Sequence, residues 1–402
     1  MKKAALLLLC GALAFCACQK DPVPSKDATL DGTAVDVSSL STSAQKLFVL
    51  NEGGMGSNNA TLDFLRFKDG KYVTGAFKKM NPTEAAGLGD VGNDIAIHGK
   101  EAWIVVNNSG IVEVISADDE TELAAIQVPT PRNIAFDEKY AYVTSWAGAF
   151  ATGSYDDNGN YVITDSNNPK GQVYRIDLST KKVEGSVEVG YQPEGIAVYN
   201  GKLYVANSGG ISSQLAPNYS YDNTVSIIDA ATFQVEKTVE VQVNLKNVYA
   251  DGKGTIYVTT LGNYYDVHSG LYAFQAGNPT QAVLVSGSGV KEEFSHVTAS
   301  CQVGDAVFCV GTEAEFDWYN PHQYYAWSVK GDRVTHYSIT LDGTPYGICV
   351  LEDASDLHYL VVGDAGDYFN PGTLSCYRLD HNQNEKLWSV TAGVCPGHFA
   401  LY

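Results

Sequence analysis

Long segments between the predicted strands carry many aromatic and amide side chains that could bind a ligand. Tyrosine and tryptophan give flat apolar area and a polar group at low conformational cost. Loops that expose this much aromatic surface mark an interaction site. The predicted ligand-binding residues in these loops are Trp146, Tyr155, Tyr219, Tyr221, Tyr264, Tyr265, Trp318, Tyr319, Tyr324, Tyr368, Phe369 and Asn370. The alternative for any single ring is that it packs one loop against another.

A second set of polar residues stands at the start of a recurring apolar strand, where the side chains would converge on one axis. From this set we predict that Arg132, Glu194 and His398 bind the ligand. One alternative is that Arg132 and Glu194 form an ion pair that closes a channel. Another is that His398 and His296 ligate a metal, although isolated histidines are usually hydrogen-bonded structural groups. We therefore predict no metal site.

Motifs for covalent catalysis are missing from the sequence. It has no Ser-His-Asp spacing, nucleophile elbow or phosphate-binding glycine loop, and we predict that the chain is not an enzyme. The open alternative is a lyase or hydrolase that uses His398, His296 and Glu194. Asp156 to Asn160 resemble part of a calcium loop without its terminal glutamate, and we predict a polar turn there. The net charge of −20 argues against nucleic-acid binding.

The elements that position these residues form a repeat. An apolar strand returns seven times behind a turn-forming residue, and its central apolar residues lie 39 to 62 positions apart. The copies begin at Gly92, Pro131, Gln192, Leu245, Phe294, Thr344 and Cys395. A repeat of about 40–50 residues with four short strands per unit is typical of a β-propeller. The sequence therefore predicts an all-β, seven-bladed propeller over residues 46–402.

The two ends of the chain supply complementary parts of one blade. The first unit begins at its second strand, and the C-terminal segment from Cys395 to Leu401 provides the missing innermost strand. This pairing closes the ring and leaves no open sheet edge inside it. The long aromatic loops all connect the second strand to the third, so they lie on one face at the mouth of the central channel.

The N-terminal sequence has the pattern of a lipoprotein signal. Lys2 and Lys3 precede a short apolar run that ends in a small residue and a cysteine, so we predict a signal peptide over residues 1–17 and lipidation at Cys18. Cys16 is the second choice for lipidation, and an ordinary cleaved secretory peptide remains an alternative. Residues 18–45 are polar and are predicted to be a lipidated cysteine followed by a flexible tether.

Five cysteines follow the signal, and an odd number cannot pair completely. Cys301 and Cys309 flank one predicted hairpin and could form a disulfide. The alternative is that all five are buried thiols, since cysteine is a favoured core residue.

The chain resembles a known family along residues 46–402. The opening FVLNEGGMGSNNATLDFL, the internal PEGIAVYNGKLYVANSGG and YGICV, and the closing PGHFALY are similar to YncE-like surface lipoprotein propellers of Bacteroidetes. Some members capture cobalamin and pass it to a TonB-dependent outer-membrane barrel.

The resemblance implies a lipid-anchored protein on the outer surface of the outer membrane. It also implies that cobalamin or a related corrinoid is the ligand, without a resident cofactor, and that a TonB-dependent transporter is the partner. The membrane is contacted only through the lipid. A glycan-binding or adhesion propeller is the alternative, because aromatic platforms suit sugars equally well.

Overall fold

The computed structural model describes residues 30–40, 42–84, 87–148, 169–209, 221–263, 267–285, 297–312, 324–337, 339–341, 343–352, 358–379 and 384–402. It also describes the backbone of residues 152–155 and 161–165. Seven antiparallel sheets form a ring. Each has four strands, named a to d from the axis outward, and the sheet of blade 1 has a fifth strand at its outer edge. The seven-bladed propeller predicted from the repeat is confirmed.

The blades follow the chain in order. Their strands a to d are Pro396–Leu401, Lys46–Asn51, Thr61–Arg66 and Lys71–Val73 in blade 1; Gly92–His98, Glu101–Val106, Ile111–Ser116 and Glu122–Gln127 in blade 2; Pro131–Phe136, Tyr140–Ser145, Gln172–Asp177 and Lys182–Glu188 in blade 3; Pro193–Tyr199, Lys202–Asn207, Thr224–Asp229 and Gln234–Glu240 in blade 4; Leu245–Ala250, Thr255–Thr260, Gly270–Gln275 and Val283–Leu284 in blade 5; Ala299–Val303, Ala306–Thr312, Tyr324–Lys330 and Arg333–Tyr337 in blade 6; Pro345–Glu352, His358–Asp364, Thr373–Leu379 and Asn384–Thr391 in blade 7.

The C-terminal strand closes the ring as predicted. Pro396–Leu401 pairs antiparallel with Lys46–Asn51, and the register joins Phe399 to Val49 and His398 to Leu50. Blade 1 is thus built from both ends of the chain.

Burial follows the position of each strand in its blade. Strand b of blade 1 is buried at every residue, because it lies inside the sheet and between neighbouring blades. Strand d of blade 4 is exposed at six of its seven residues. Seven apolar clusters fill the boundaries between adjacent blades, one cluster at each boundary. The core is therefore a ring of inter-blade contacts.

Three local features go beyond or differ from the sequence prediction. Strand d of blade 1 ends at Val73, and a short helix, Ala76–Met80, follows Gly75, which has a left-handed φ of 59°. Strand a of blade 6 begins at Ala299, whereas the apolar pattern placed it from Phe294. Between strands b and c of blade 3, Thr152–Tyr155 and Tyr161–Asp165 form an extra hairpin. Among the described residues, no helix has the length and apolar character needed to cross a membrane.

Part of the segment predicted to be a tether contacts the ring. Thr33–Ala34 adds a fifth strand to the outer edge of blade 1. The chain then crosses the face opposite the channel mouth, where Val35 donates to the carbonyl of Gly70 at 2.8 Å and Tyr359 of blade 7 donates to the carbonyl of Ser39 at 2.7 Å. We call residues 30–40 the strap. The domain boundaries at residues 17 and 45 stay predictions.

A glycine–asparagine contact recurs before strand a. The amide N–H of Gly393 donates to Oδ1 of buried Asn51 at 3.1 Å, and Gly190 makes the same bond to Asn207 at 3.1 Å. A Cβ on Gly393 would lie 2.6 Å from Cγ of Asn51, so only glycine fits.

We expect Gly393→Ala to lower the free energy of unfolding by about 1–3 kcal/mol, because the added methyl overpacks a buried contact at the ring closure. The measurement is guanidinium denaturation. Gly185→Ala is the matched control, because nothing lies within 4 Å of its Cβ position and its φ is ordinary. Equal midpoints for the two variants would show that the contact is not tight.

A buried carboxyl group lies in strand c of blade 2. Glu113 is 4% exposed, and its Oε1 has no hydrogen-bond partner among the described residues. Burial, and then the charges of Glu122 and Glu84, raise the pKa of Glu113 to about 8. The folded protein therefore keeps this proton at a pH where the unfolded chain has lost it.

This pKa predicts a pH-dependent loss of stability. Between about pH 4.5 and 8 only the folded state holds the proton, so stability falls as pH rises through that window. We expect Glu113→Gln to abolish this fall in the free energy of unfolding. At pH 9 the variant should be more stable than the wild type by about 2–4 kcal/mol, and at pH 4.5 the two should differ little. Denaturant unfolding across pH measures this, with exposed Glu138→Gln as control. If the free energies of unfolding of the wild type and Glu113→Gln depend on pH in the same way, the raised pKa of Glu113 is contradicted.

Candidate functional site at the channel mouth

The residues that lead into strand a adopt a left-handed backbone in four blades. Thr130, Gln192, Asn244 and Cys395 immediately precede strand a and have φ between 38° and 61°. Such conformations cost about 1–3 kcal/mol each for residues other than glycine, and they persist where the surroundings fix them. Local hydrogen bonds do so here: Nδ2 of Asn244 donates to the carbonyl of Gly262 at 2.9 Å, for example. The mouth is therefore a rigid frame.

Inside this frame a central cavity of about 1170 Å³ is lined by residues of all seven blades. Its apolar wall comes from the central residues of the sequence repeat, namely Ile134, Ile196, Val248, Val297, Ile348 and Phe399. Glycines let the strands approach here, since a Cβ on Gly347 would lie 2.1 Å from the carbonyl oxygen of Gly397. The repeat thus builds the wall of the channel.

A hydrogen-bonded triad joins three parts of the chain at the mouth. Nε2 of His398 lies 2.8 Å from Oε1 of Glu52, and the hydroxyl of Tyr346 donates to Oε2 of Glu52 at 2.6 Å. Burial alone would raise the pKa of Glu52, but the bonds to His398 and Tyr346 and the charge of Lys246 outweigh it and lower that pKa. Glu52 is therefore a stable carboxylate with both oxygens occupied.

A second carboxyl group faces the same cavity from blade 2. Oδ2 of Asp94 accepts from the backbone N–H of Ile134 at 3.0 Å and from Nδ2 of Asn133 at 3.2 Å, while Oδ1 accepts from the N–H of Ile95 at 2.8 Å. Burial raises the pKa of Asp94, and the charge of His398 opposes the rise. Asp94 ties the innermost strands of blades 2 and 3 together.

Arg132 and Glu194 form the ion pair considered from the sequence. Nη2 of Arg132 lies 3.0 Å from Oε2 of Glu194, Nη1 donates to Asn93 at 2.6 Å, and the guanidinium stacks 4.4 Å from the ring of Trp146. Trp146 is only 6% exposed. This cluster lies beside the cavity and does not line it.

An aromatic rim stands over the channel on blade 7. The rings of Tyr346 and Tyr368 meet edge to face with centroids 5.7 Å apart. Next in the chain, Phe369 is 84% exposed. Asp367 fixes this turn, because its carboxylate accepts from the N–H groups of Phe369 at 3.0 Å and Asn370 at 2.8 Å. The turn projects an apolar ring into solvent beside the mouth.

The structure gathers the described site residues into three groups. Arg132, Glu194 and Trp146 form one group, His398 belongs to the triad, and Tyr324 and Tyr368 line the cavity. Tyr221 is half-buried and does not line the cavity. Sequence reasoning missed Glu52, although its place after strand b of blade 1 was a signal, and it missed Asp367.

Several predicted residues cannot be placed. Tyr155 has only its backbone described, opposite Tyr161 in the extra hairpin. Outside the described residues lie Tyr219, Tyr264, Tyr265, Trp318, Tyr319, Cys18, His296 and the segment from Asp156 to Asn160. Their assignments stay predictions.

The five cysteines that follow the signal are free thiols, including Cys301 and Cys309. Burial raises the pKa of Cys349 to about 12 and that of Cys395 to about 11, so these thiols are unreactive at neutral pH. Within the part of the chain that the structure describes, no three His, Cys, Asp or Glu side chains are grouped so as to hold a metal ion.

Breaking the buried ion pair of Arg132 and Glu194 should cost more stability than breaking an exposed ion pair. We expect Arg132→Met to lower the free energy of unfolding by about 3–5 kcal/mol, because Glu194 is left buried and unpaired. The double variant Arg132→Met/Glu194→Gln should lose less stability than the sum of the losses in Arg132→Met and Glu194→Gln. The exposed pair of Lys100 and Asp118 provides the control, since Lys100→Met should cost less than about 1 kcal/mol. Denaturant titration of all four variants tests this, and equal losses for Arg132→Met and Lys100→Met would refute it.

Comparisons with known proteins show the fold. No protein-family model matches the chain, and no curated protein matches it. Among solved structures, a chain of hydrazine synthase from Kuenenia stuttgartiensis is similar, with a TM-score of 0.56 and 13% identity over 77% of this chain and 89% of the other. At this identity the likeness shows the propeller fold alone.

The same comparison corrects one prediction. We expected from the missing catalytic motifs that the chain is not an enzyme, and that conclusion was wrong. A chain of similar fold belongs to hydrazine synthase, which is an enzyme, so a propeller without familiar motifs gives no ground for excluding catalysis.

Proposed function

We propose that the channel mouth captures a small-molecule ligand without forming a covalent bond. The observation that carries this proposal is the cavity of about 1170 Å³ beneath the aromatic rim of Tyr346, Tyr368 and Phe369. Ligand sites are concave and largely preformed, with a few polar groups that orient the ligand. The fixed backbone around the mouth supports such a role, because a rigid site loses little entropy on binding.

The ligand we propose is cobalamin or a related corrinoid. A corrinoid combines a broad apolar ring with a rim of amides, and it needs flat apolar surface beside hydrogen-bonding groups. The rim offers Phe369 and Tyr368, with Asn370 next to them. The similarity of the opening, internal and closing segments to cobalamin-capturing surface lipoproteins supports this choice.

The proposed setting is the outer surface of the outer membrane. In this proposal Cys18 carries the lipid, and the propeller passes its ligand to a TonB-dependent transporter. The charged and apolar segments before Cys18 support export and anchoring. The propeller would raise the local concentration of ligand above the transporter.

Calorimetric titration of the chain from residue 19 onward with cyanocobalamin tests the proposal. We expect one-to-one binding, weakened about tenfold or more by Phe369→Ala, because an exposed aromatic anchor is lost without change to the core. Leu123→Ala is the matched control, since Leu123 is an exposed apolar residue on the outer strand of blade 2. Absence of binding by the wild type would exclude a corrinoid, and a parallel titration with oligosaccharides would then test a glycan ligand.

A further inference from the structure

The triad at the channel mouth engages only one ring nitrogen of His398. Nε2 of His398 lies 2.8 Å from Oε1 of Glu52. The other ring nitrogen, Nδ1, makes no hydrogen bond to any residue in the described ranges, and it is not sealed from solvent. The side chain is 20% exposed and lines the cavity. The open nitrogen thus belongs to a side chain that faces the cavity.

The bond to Glu52 decides which nitrogen carries the hydrogen of the neutral imidazole. Glu52 is a carboxylate that accepts at both oxygens, since the hydroxyl of Tyr346 donates to Oε2 at 2.6 Å. A carboxylate has no hydrogen to donate, so Nε2 of His398 is the N–H donor and Nδ1 carries the lone pair. Histidines that ligate a metal nearly always donate their other ring N–H to a carboxylate, a carbonyl or water. His398 already has this arrangement.

Other nitrogen ligands are missing from this level of the channel, within the described residues. Wherever it is described, the residue directly before the central apolar residue of strand a lines the cavity, and the side chains at this position are those of Asp94, Asn133, Asn247 and His398. Both oxygens of Asp94 accept hydrogen bonds from the protein, and amide nitrogens have no lone pair for a metal. A single ligand suits a metal whose other positions are already filled.

Aromatic surface adjoins this histidine. The ring of Tyr346, whose hydroxyl bonds Glu52, meets the ring of Tyr368 with centroids 5.7 Å apart, and the next residue, Phe369, is 84% exposed. Flat apolar surface offers contact to a flat ligand, and a few polar groups orient it. The combination with an open imidazole fits a planar macrocycle that carries a metal at its centre.

We propose that His398 is an axial ligand to the metal of a planar macrocycle held at the mouth. The lone pair of Nδ1 displaces a water molecule bound to the metal, and the metal keeps its oxidation state. Glu52 and Tyr346 are positioning residues that fix the imidazole. The ligation deepens the proposed function, on which it rests for the use of this mouth as the ligand site. Cobalt in a corrinoid and iron in a porphyrin share this chemistry, and titration with each macrocycle separates them.

Electron paramagnetic resonance of cob(II)inamide bound to the chain from residue 19 onward tests the ligand directly. Cobinamide lacks the nucleotide base of cobalamin, so its cobalt has a free axial position. A nitrogen ligand splits each cobalt line into a triplet, which becomes a doublet when the nitrogen is ¹⁵N. We expect a triplet with the wild type, a doublet after labelling with ¹⁵N-histidine, and no nitrogen splitting with His398→Gln. Cobinamide bound without splitting, or with unchanged splitting in His398→Gln, would overturn the proposal.

Affinities give a second readout. We expect His398→Gln to bind aquocobinamide about tenfold more weakly than the wild type, because the metal loses its protein ligand. Cyanocobalamin has both axial positions filled, so its affinity should be equal for the two proteins. Equal losses for aquocobinamide and cyanocobalamin would contradict ligation. His98→Gln is the matched control and should behave as the wild type, because His98 ends strand a of blade 2 at the opposite face and does not line the cavity.

Titration with haemin separates failure of this ligand from failure of the corrinoid proposal. If the wild type binds cobinamide without a nitrogen ligand, the corrinoid proposal stands and the ligation fails. If the wild type binds haemin with a shift of the Soret band that His398→Gln loses, and it binds no corrinoid, His398 stands as an axial ligand and the corrinoid proposal fails. Binding of neither macrocycle overturns both.

Discussion

Pairing of the two chain ends in blade 1 is the constraint on which the rest of the ring depends. The six hydrogen-bonded sheets made by consecutive strands each form locally, but the channel exists only when Pro396–Leu401 lies beside Lys46–Asn51. Closure also completes the mouth, because Glu52 and His398 come from opposite ends of the chain and meet only there. The bond between Glu52 and His398 therefore lies at the topological seam of the fold.

The interior of the ring is divided into separate apolar clusters. Each apolar cluster fills one boundary between blades, so no single core spans the molecule. The axial wall is uniform, with β-branched residues such as Ile134 and Val248 recurring in strand a.

The fold was predictable because its determinants are local and repeated. A turn-forming residue before each apolar strand marks strand a, and Asn200-Gly201 marks a tight connection to strand b. The site was predictable only in part. The pairing of Arg132 with Glu194 was an alternative suggested by their shared place in the repeat, although the prediction was that both bind the ligand. The triad of Glu52, Tyr346 and His398 joins blade 1 to blade 7 and forms only when the ring closes, so residue types alone do not predict it. The contact of the Trp146 ring with the guanidinium of Arg132 is likewise a tertiary contact that residue types alone do not predict.

The strap determines how the protein would respond to a force applied at its N-terminus. Residues 30–40 run over the face opposite the mouth, and they hold blade 1 and blade 7 at the seam through Val35 and Ser39. A load applied through the N-terminus would first strip the two-residue strand Thr33–Ala34 from the outer edge, since that short ladder lies farthest from the axis. The closing strands would bear the load only after the strap had detached. The strap would therefore unfold before the ring, and the channel mouth would keep its structure until then.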